Sequence, residues 1–376
     1  MRFNILQYLP KNTKIRLDKK LMGNLFSGKS VTEWGKLLNI PIKNMSRYIN
    51  GTRSFSIELL NQLIFIKKMN MVELQDKMET KISKSGKYIK IGPFIKPDEK
   101  WVYVSELIKG DGHITPNFWT ITFVNKENAL IKYVEKFFKD LGIKKTQISL
   151  TKRKNVNFLT IRSSVLAHIF NKILDNPAGK KRELKISNFI LSNKKLSISA
   201  VRGAFDAEGS VTFTGSRRIS ITSNSKNWLN QIKKILETLR IESRITEDKS
   251  KRETPIYRIL IFHKSNLKKF LKIIAPLHPK RKERLNEILG NYTKNSQKEF
   301  HKKILISIQK GNTRKMEIAS NTKQTLILTG NNLNWLKKKK YIIPYEKICT
   351  NKGSFHRYKL TPKGEEYLNK SLSFFD

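Results

Sequence analysis

Two acids, Asp111 and Glu208, end similar short segments of this chain. The first segment, residues 104–112, reads VSELIKGDG, and the second, residues 201–209, reads VRGAFDAEG. The acids lie 97 positions apart (208 minus 111), and similar sequence follows both, which indicates two copies of one unit. Two carboxylates brought together repel unless a cation lies between them, and Mg²⁺ suits carboxylate, carbonyl and phosphate oxygens. The pattern therefore favours metal-assisted phosphodiester chemistry.

The surrounding elements must bring these two carboxylates to one place. Gly203 and Ala207 stand four apart on one face of the predicted second helix, and small residues there leave a groove for another helix. The same order of elements then repeats. In the first copy we predict helix 101–112, a hairpin at 114–123, helix 129–141, strands 147–150 and 158–162, and helix 165–174. In the second copy we predict helix 228–240, strand 257–262 and helix 267–274.

The net charge points to a polyanionic partner. The 376 residues include 76 Lys and Arg against 30 Asp and Glu, a formal charge of +46, and 38% hydrophobic residues are enough to build real cores. Such a charge favours nucleic acid as the partner. A ribosomal or chromatin-like protein, or a solvated surface from a lysine-rich proteome, has the same composition. The motifs must decide between these readings.

Cysteine content and hydropathy indicate the compartment. Cys349 is the one cysteine, so neither an intrachain disulfide nor a cysteine-rich zinc site can form. No run of about 18 apolar residues occurs, and the first residues do not read as a secretory signal. We expect a cytoplasmic, nucleoid-associated protein that does not bind a membrane.

Residues 1–80 predict a helical DNA-binding domain. Segments 31–38 and 42–49 have helical apolar spacing, with a break at Asn39-Ile40-Pro41 between them. The second segment carries Lys43, Asn44 and Arg47 on its polar face. The stretch 32–55 resembles the helix-turn-helix of the lambda-repressor-like family, whose second helix enters the major groove. The alternative is an ordinary two-helix corner of a bundle.

Residues 300–376 resemble a winged-helix domain. We predict helices at 303–308 and 326–339, and a hairpin that turns at 351–354. The segment 360–364 (LTPKG) is similar to the "Leu-Thr-x-x-Gly" that commonly closes the last strand of such domains. The sequence leaves two roles open for residues 300–376, DNA contact and packing against protein.

The acid-ending segments 104–112 and 201–209 resemble the LAGLIDADG motif of homing endonucleases. The resemblance implies an α+β fold: a pseudo-symmetric, duplicated αββαββα core with two antiparallel saddle sheets, flanked by an all-α helix-turn-helix domain and a winged-helix domain. It also implies that Asp111 and Glu208, with the backbone of Gly110 and Ala207, bind Mg²⁺ or Mn²⁺. This sequence has Glu106 where the family's first motif has a close-packing glycine. The implied boundaries are 1–80, a linker at 81–99, repeats at 100–195 and 196–295, and 300–376.

Further site residues follow from the same resemblance. The family has a basic residue near the metals at the start of the final helix of each unit, and here the matching positions are Lys181 and Lys282. The outward faces of the strands are expected to read DNA, because Arg, Ser and Thr contact bases and phosphates. These residues are Thr120, Thr122, Thr212, Thr214, Arg218, Ser220 and Thr222.

The sequence therefore predicts a site-specific, divalent-metal-dependent double-strand DNA endonuclease of the homing type. A pseudo-symmetric monomer of this kind can read a long asymmetric site. The chain resembles a free-standing member, since it begins at Met1 without the nucleophilic Cys or Ser of an intein. Two alternatives remain: a non-cleaving transcription regulator that uses the same fold to bind DNA, and a maturase that acts on structured RNA.

Overall fold

The computed structural model describes residues 1–82, 87–180, 183–213, 217–248, 255–290, 297–350 and 353–370. They form two compact units. The first contains Met1–Gly209, Ile221–Ile259 and Ile273–Pro279, and the second contains Ser210–Ser220, Leu260–Lys272 and Lys280–Asp376. Within the described ranges, no helix is both long enough and apolar enough to cross a bilayer.

The amino-terminal part of the first unit combines four helices with short strands. In chain order these are β1 (Phe3–Asn4), β2 (Lys14–Leu17), α1 (Lys19–Phe26), α2 (Val31–Leu38), α3 (Ile42–Ile49), β3 (Phe55–Ser56), α4 (Ile57–Ile66), β4 (Met78–Lys81), β5 (Ile89–Lys90) and β6 (Phe94–Ile95). A capping box between Ser30 and Glu33 begins α2, and Asn39, in the left-handed conformation at φ 53°, ends it. The fully buried Trp34 packs edge-on against Phe26 and fixes α2 to the core.

This part of the chain is not all-α, which corrects the sequence-based fold. A four-stranded sheet has the order β3-β2-β4-β5, and β1 pairs with β6. Strand β2 forms because Ile15 is fully buried between the exposed Lys14 and Arg16, the alternation of a half-buried strand. The predicted linker at 81–99 contains β5 and β6, because the buried Ile89 and Ile95 pack in the core and their backbones extend the pairing.

The first repeat follows. It consists of α5 (Glu99–Asp111), β7 (Gly112–Ile114), β8 (Thr120–Asn125), α6 (Asn128–Asp140), β9 (Ile148–Arg153), β10 (Val156–Arg162) and α7 (Ser164–Lys172). Its sheet has the order β7-β8-β10-β9, with antiparallel pairing throughout. Ile121 and Phe123 are fully buried on one face, and Trp119, which lies before the strand, is 59% exposed.

The second repeat has the same element order. A short helix, α8 (Asn188–Leu191), precedes α9 (Lys194–Glu208), β11 (Gly209–Thr212), β12 (Arg218–Ser223), α10 (Lys226–Thr238), β13 (Arg244–Asp248), β14 (Ile256–Ile261) and α11 (Lys264–Ile273). Its sheet has the order β11-β12-β14-β13, which matches the first sheet position for position. The duplication predicted from the sequence is therefore present in the topology.

The carboxy-terminal elements belong to the second unit. They are α12 (Pro279–Gly290), α13 (Gln297–Gln309), α14 (Lys315–Asn321), α15 (Leu326–Lys338), the paired strands β15 (Ile342–Thr350) and β16 (Gly353–Leu360), and α16 (Pro362–Lys370). Their apolar core comprises Ile304, Leu305, Ile308, Ile318, Leu333, Leu336, Ile342 and Leu368.

Candidate functional site: the paired helix ends

Helices α5 and α9 pack against each other, and two glycines set how closely they approach. A Cβ placed on Gly203 would lie 2.6 Å from the carbonyl oxygen of Tyr103 and 2.8 Å from Cβ of Glu106. A Cβ placed on Gly110 would lie 2.4 Å from Cβ of Ala207. Only hydrogen fits at either position without movement of the partner helix. The small-residue groove predicted from the sequence is thus used for close helix packing.

Glu106 fits this contact because it faces Gly203. Its side chain is fully buried, and its carboxylate accepts a hydrogen bond from Lys109 Nζ at 2.6 Å and another from Trp228 Nε1 of α10 at 2.8 Å. Burial raises the pKa of Glu106, while Lys109 and Trp228 favour its charged form. Lys109 also donates to the carbonyl of Lys185, 2.7 Å away. The Glu106 carboxylate therefore connects α5 to α10 of the second repeat, and α5 still packs closely against α9.

Asp206 joins the same two helices from the other side. The hydroxyl of Tyr103 donates to Asp206 Oδ2 at 2.9 Å, and the backbone N–H of Leu277 donates to the same oxygen at 2.8 Å. Burial raises the pKa of the Tyr103 hydroxyl, so it stays protonated and able to donate. Asp206 is fully buried and holds the interface together.

The two helices end at the predicted acids. Asp111 is the last residue of α5 and Glu208 the last of α9, and both are half-buried. A Cβ on Gly110 would lie 3.4 Å from the carboxylate oxygen Oε1 of Glu208. The Glu208 carboxylate therefore lies over the residue that precedes Asp111. Both ends pass into a strand at a glycine, which turns the chain away from the shared helix end.

Asn125 belongs to this site, and sequence reasoning missed it. Its Nδ2 donates to Asp111 Oδ2 at 2.8 Å, while its Oδ1 accepts from the backbone N–H of Glu127 at 2.8 Å. The hairpin register explains the approach: Gly112 pairs with Phe123, so the chain two residues later returns to the end of α5. Counting that register from the sequence is the signal that would have found it.

A divalent cation fits the chemistry of this donor set. Carboxylate and backbone carbonyl oxygens are the hard ligands that Mg²⁺ and Mn²⁺ take, and Asp111 and Glu208 supply two half-buried carboxylates. Across the described ranges, no three His, Cys, Asp or Glu side chains converge as a metal cluster. A cation held by Asp111 and Glu208 would complete its coordination with carbonyls, such as those of Gly110 and Ala207, and with water.

The predicted strand residues differ in accessibility. Thr122 and Ser220 are only 8% and 7% exposed. Each has a cross-strand hydroxyl partner, Thr160 Oγ1 at 3.4 Å and Ser210 Oγ at 2.8 Å respectively. The remaining described members of the predicted set, which are more accessible, are Thr120, Thr212, Arg218 and Thr222.

Of the predicted basic and strand residues, Lys181 and Thr214 lie outside the described residues. Lys282 is an exposed residue of α12, in the second unit. Its neighbour in the same helix, Arg284, lines an open cavity of about 460 Å³ with Ser210 and Thr212.

On α3, Lys43 and Arg47 are exposed and Asn44 is half-buried. Arg53, after the helix, donates from Nη1 to Asn44 Oδ1 at 2.6 Å, and its guanidinium lies 5.1 Å from the centre of the Tyr48 ring. This hydrogen bond holds the Asn44 side chain against Arg53. Arg53 therefore joins the polar face predicted from α3.

Comparison with known proteins assigns part of the chain. Residues 196–275 match the model of the LAGLIDADG-like domain family, a range that includes most of α9 and Glu208. None of the curated proteins matches this sequence. The second repeat is therefore similar to the LAGLIDADG-like domain, and the first repeat has the same strand order.

Solved structures with similar folds include a homing endonuclease and DUF199/WhiA. The homing endonuclease I-DmoI, in complex with DNA and Mn, is 21% identical with a TM-score of 0.37, over 47% of this chain and 96% of that chain. Full-length DUF199/WhiA from Thermotoga maritima is 14% identical with a TM-score of 0.38, over 65% and 93%. The N-terminal LAGLIDADG domain of DUF199/WhiA is 18% identical with a TM-score of 0.35, over 49% and 87%. These values describe likeness of fold and carry no conclusion about activity.

Proposed function

We propose that this protein is a site-specific, divalent-metal-dependent double-strand DNA endonuclease. The observation that carries the proposal is the meeting of the two helix ends, with the Glu208 carboxylate over the residue before Asp111. The net charge of +46 and the basic α3 support DNA as the substrate. In I-DmoI, whose fold is similar, the complex contains DNA and Mn.

The chain's own residues would position the reacting phosphate and the metal ligands. Asp111 and Glu208, with the carbonyls of Gly110 and Ala207, would hold Mg²⁺ or Mn²⁺. When bound, such an ion supplies activated water and stabilises the leaving oxygen. Asn125 would orient the Asp111 carboxylate through its hydrogen bond. Lys181 and Lys282 would stabilise negative charge on the phosphate, as the resemblance implies.

The flanking regions would add DNA contacts. We assign 1–80 as a helix-turn-helix domain in which α3 enters the major groove with Lys43, Asn44 and Arg47, and 300–376 as a winged-helix domain. The accessible strand residues Thr120, Thr212, Arg218 and Thr222 would face the duplex, whereas Thr122 and Ser220 would support the sheet through their cross-strand hydroxyl contacts. The substrate would be double-stranded DNA, bound by a cytoplasmic monomer.

Cleavage of a plasmid library or of the native locus tests the proposal. We expect staggered double-strand cuts with Mg²⁺, none with chelator, and none from Asp111→Asn or Glu208→Gln. Asp140→Asn, which neutralises an exposed acid at the end of α6, is the matched control and should cut like the wild type. Gel-shift binding by the inactive variants shows that they still fold and hold DNA.

A non-cleaving regulator is the second candidate. It is favoured by the two flanking regions, 1–80 and 300–376, which resemble DNA-binding domains. Tight, sequence-specific DNA binding without cutting under any divalent ion would establish the regulator instead. Preferential binding of structured RNA over duplex DNA would favour a maturase.

A further inference from the structure

Helix α15 presents an outward face with the chemistry to read bases. Ile327 and Leu328 are 59% and 39% exposed, and the exposed amides Asn331 and Asn334 follow at helical spacing from Ile327. The opposite face, with Leu333, packs into the apolar core. Two large aliphatic side chains and two amides therefore share one solvent-facing stripe of α15, and exposed apolar groups bordered by polar residues are typical of interaction sites.

The charge around this stripe favours DNA over a protein partner. No Asp or Glu occurs between Glu317 and Glu346. The same interval contains Lys323 before α15 and the lysine run 337–340 at its end. Flanking lysines can contact phosphates while the residues between them contact base edges. A protein partner would have to match this uninterrupted positive flank with acids.

A contact within the second unit joins the turn before α15 to the residues that precede β12. Arg217, which precedes β12, donates from Nη2 to the carbonyl of Lys323 at 3.2 Å, and its guanidinium lies 5.4 Å from the centre of the Phe213 ring. Lys323 lies in the turn between α14 and α15. The turn that leads into α15 is therefore held against the hairpin whose strands carry Thr212 and Arg218.

We propose that α15 reads an A·T-rich duplex segment that flanks the site contacted by the second repeat. Asn331 and Asn334 match adenine, which presents an acceptor and a donor to a bidentate amide in the major groove. Ile327 and Leu328 match the thymine methyl group. The position of this segment next to the second repeat rests on the proposed function; the base reading itself does not require cleavage.

A binding selection on the full chain tests this. A duplex library with randomised positions is selected in EDTA, so that cleavage cannot remove bound sequences. The wild type should enrich a motif with an A·T run at one end, and the double variant Asn331→Ala/Asn334→Ala should lose that run and keep the rest. Replacing the run by G·C should weaken wild-type binding about tenfold or more and leave the double variant unchanged.

Controls separate reading from folding and from chemistry. Asn188→Ala, which removes an exposed amide from α8, should enrich the wild-type motif, and thermal unfolding of all variants should match. Two results overturn the proposal: no enriched motif, or the same motif in the wild type and the double variant. The second result would indicate that Ile327 and Leu328 contact a protein partner instead. The selection contains no metal, so it tests base reading separately from cleavage. If the protein selects the A·T run but never cuts DNA, only the endonuclease proposal fails.

Discussion

Single residues at this site divide into those that the sequence predicts and those that only geometry reveals. Asp111 and Glu208 follow from a repeated pattern, since acid-glycine endings in similar contexts mark equivalent positions. Asn125 has no such pattern, because an asparagine at a strand end is common. It becomes part of the site only through the pairing of β7 with β8, which returns it to the last turn of α5.

Asn125→Ala is expected to lower cleavage about 10- to 100-fold, because a residue that orients a metal ligand contributes about this much to affinity or activity. Steady-state cleavage against Mn²⁺ concentration measures the effect as a weaker apparent affinity for the metal.

Asn125→Asp separates the orientation of Asp111 from the turn contact with Glu127. It keeps an oxygen for the backbone N–H of Glu127 but sets a second carboxylate against Asp111. If the hydrogen bond to Asp111 matters, this variant should lose at least as much activity as the alanine. Activity near that of the wild type would show that Asn125 serves only to hold the turn before α6.

At the level of elements, periodicity located most helices within a few residues. The predictions 31–38 and 42–49 agree with α2 and α3, and the repeat helices shift by at most three residues at either end. The small strands β5 and β6 were not predicted, because two-residue strands carry too little alternation to be recognised without their partners.

Glu106 shows why the α5–α9 contact could not be judged from the sequence. From the sequence alone, a carboxylate in a helix interface is expected to prevent close packing of the two helices. Of its hydrogen-bonding partners, Lys109 is one helical turn away and the other is distant in sequence. Trp228, the second donor, comes from α10, 122 positions later. Burial of an acid is tolerated only with such pairing, and pairing between repeats requires the folded topology.

Gly203→Ala should force α5 and α9 apart, because its Cβ would lie 2.6 Å from the Tyr103 carbonyl oxygen. We expect a loss of about 1–3 kcal/mol in the free energy of unfolding, as for other overpacked cores, and a loss of cleavage as the acids separate. Urea unfolding followed by tryptophan fluorescence measures the first effect.

Gly23→Ala is the matched control for this prediction. Gly23 lies inside α1, and a Cβ there has nothing within 4 Å, so only helix propensity changes. Alanine should stabilise α1 by up to about 1 kcal/mol. Equal effects of the two substitutions would mean that α5 and α9 do not depend on the glycine for their approach.

For the whole molecule, the net positive charge favours binding to nucleic acid independently of base sequence. The formal charge of +46 far exceeds what solubility requires. It makes binding to a duplex of random sequence strong and dependent on the release of counterions. Specific contacts from the strands, α3 and α15 would then add to this general attraction.

Affinity for a duplex of random sequence should fall about 10³-fold or more between roughly 50 and 200 mM salt, as expected for six or more phosphate contacts. Lys43→Ala/Arg47→Ala should reduce the slope of log affinity against log salt by about two if both side chains contact phosphates. Lys11→Ala/Lys100→Ala, which removes the same charge from exposed positions outside α3, serves as the control. Equal slopes for the two double variants would show that net charge alone, and not the placement of α3, sets the affinity for DNA.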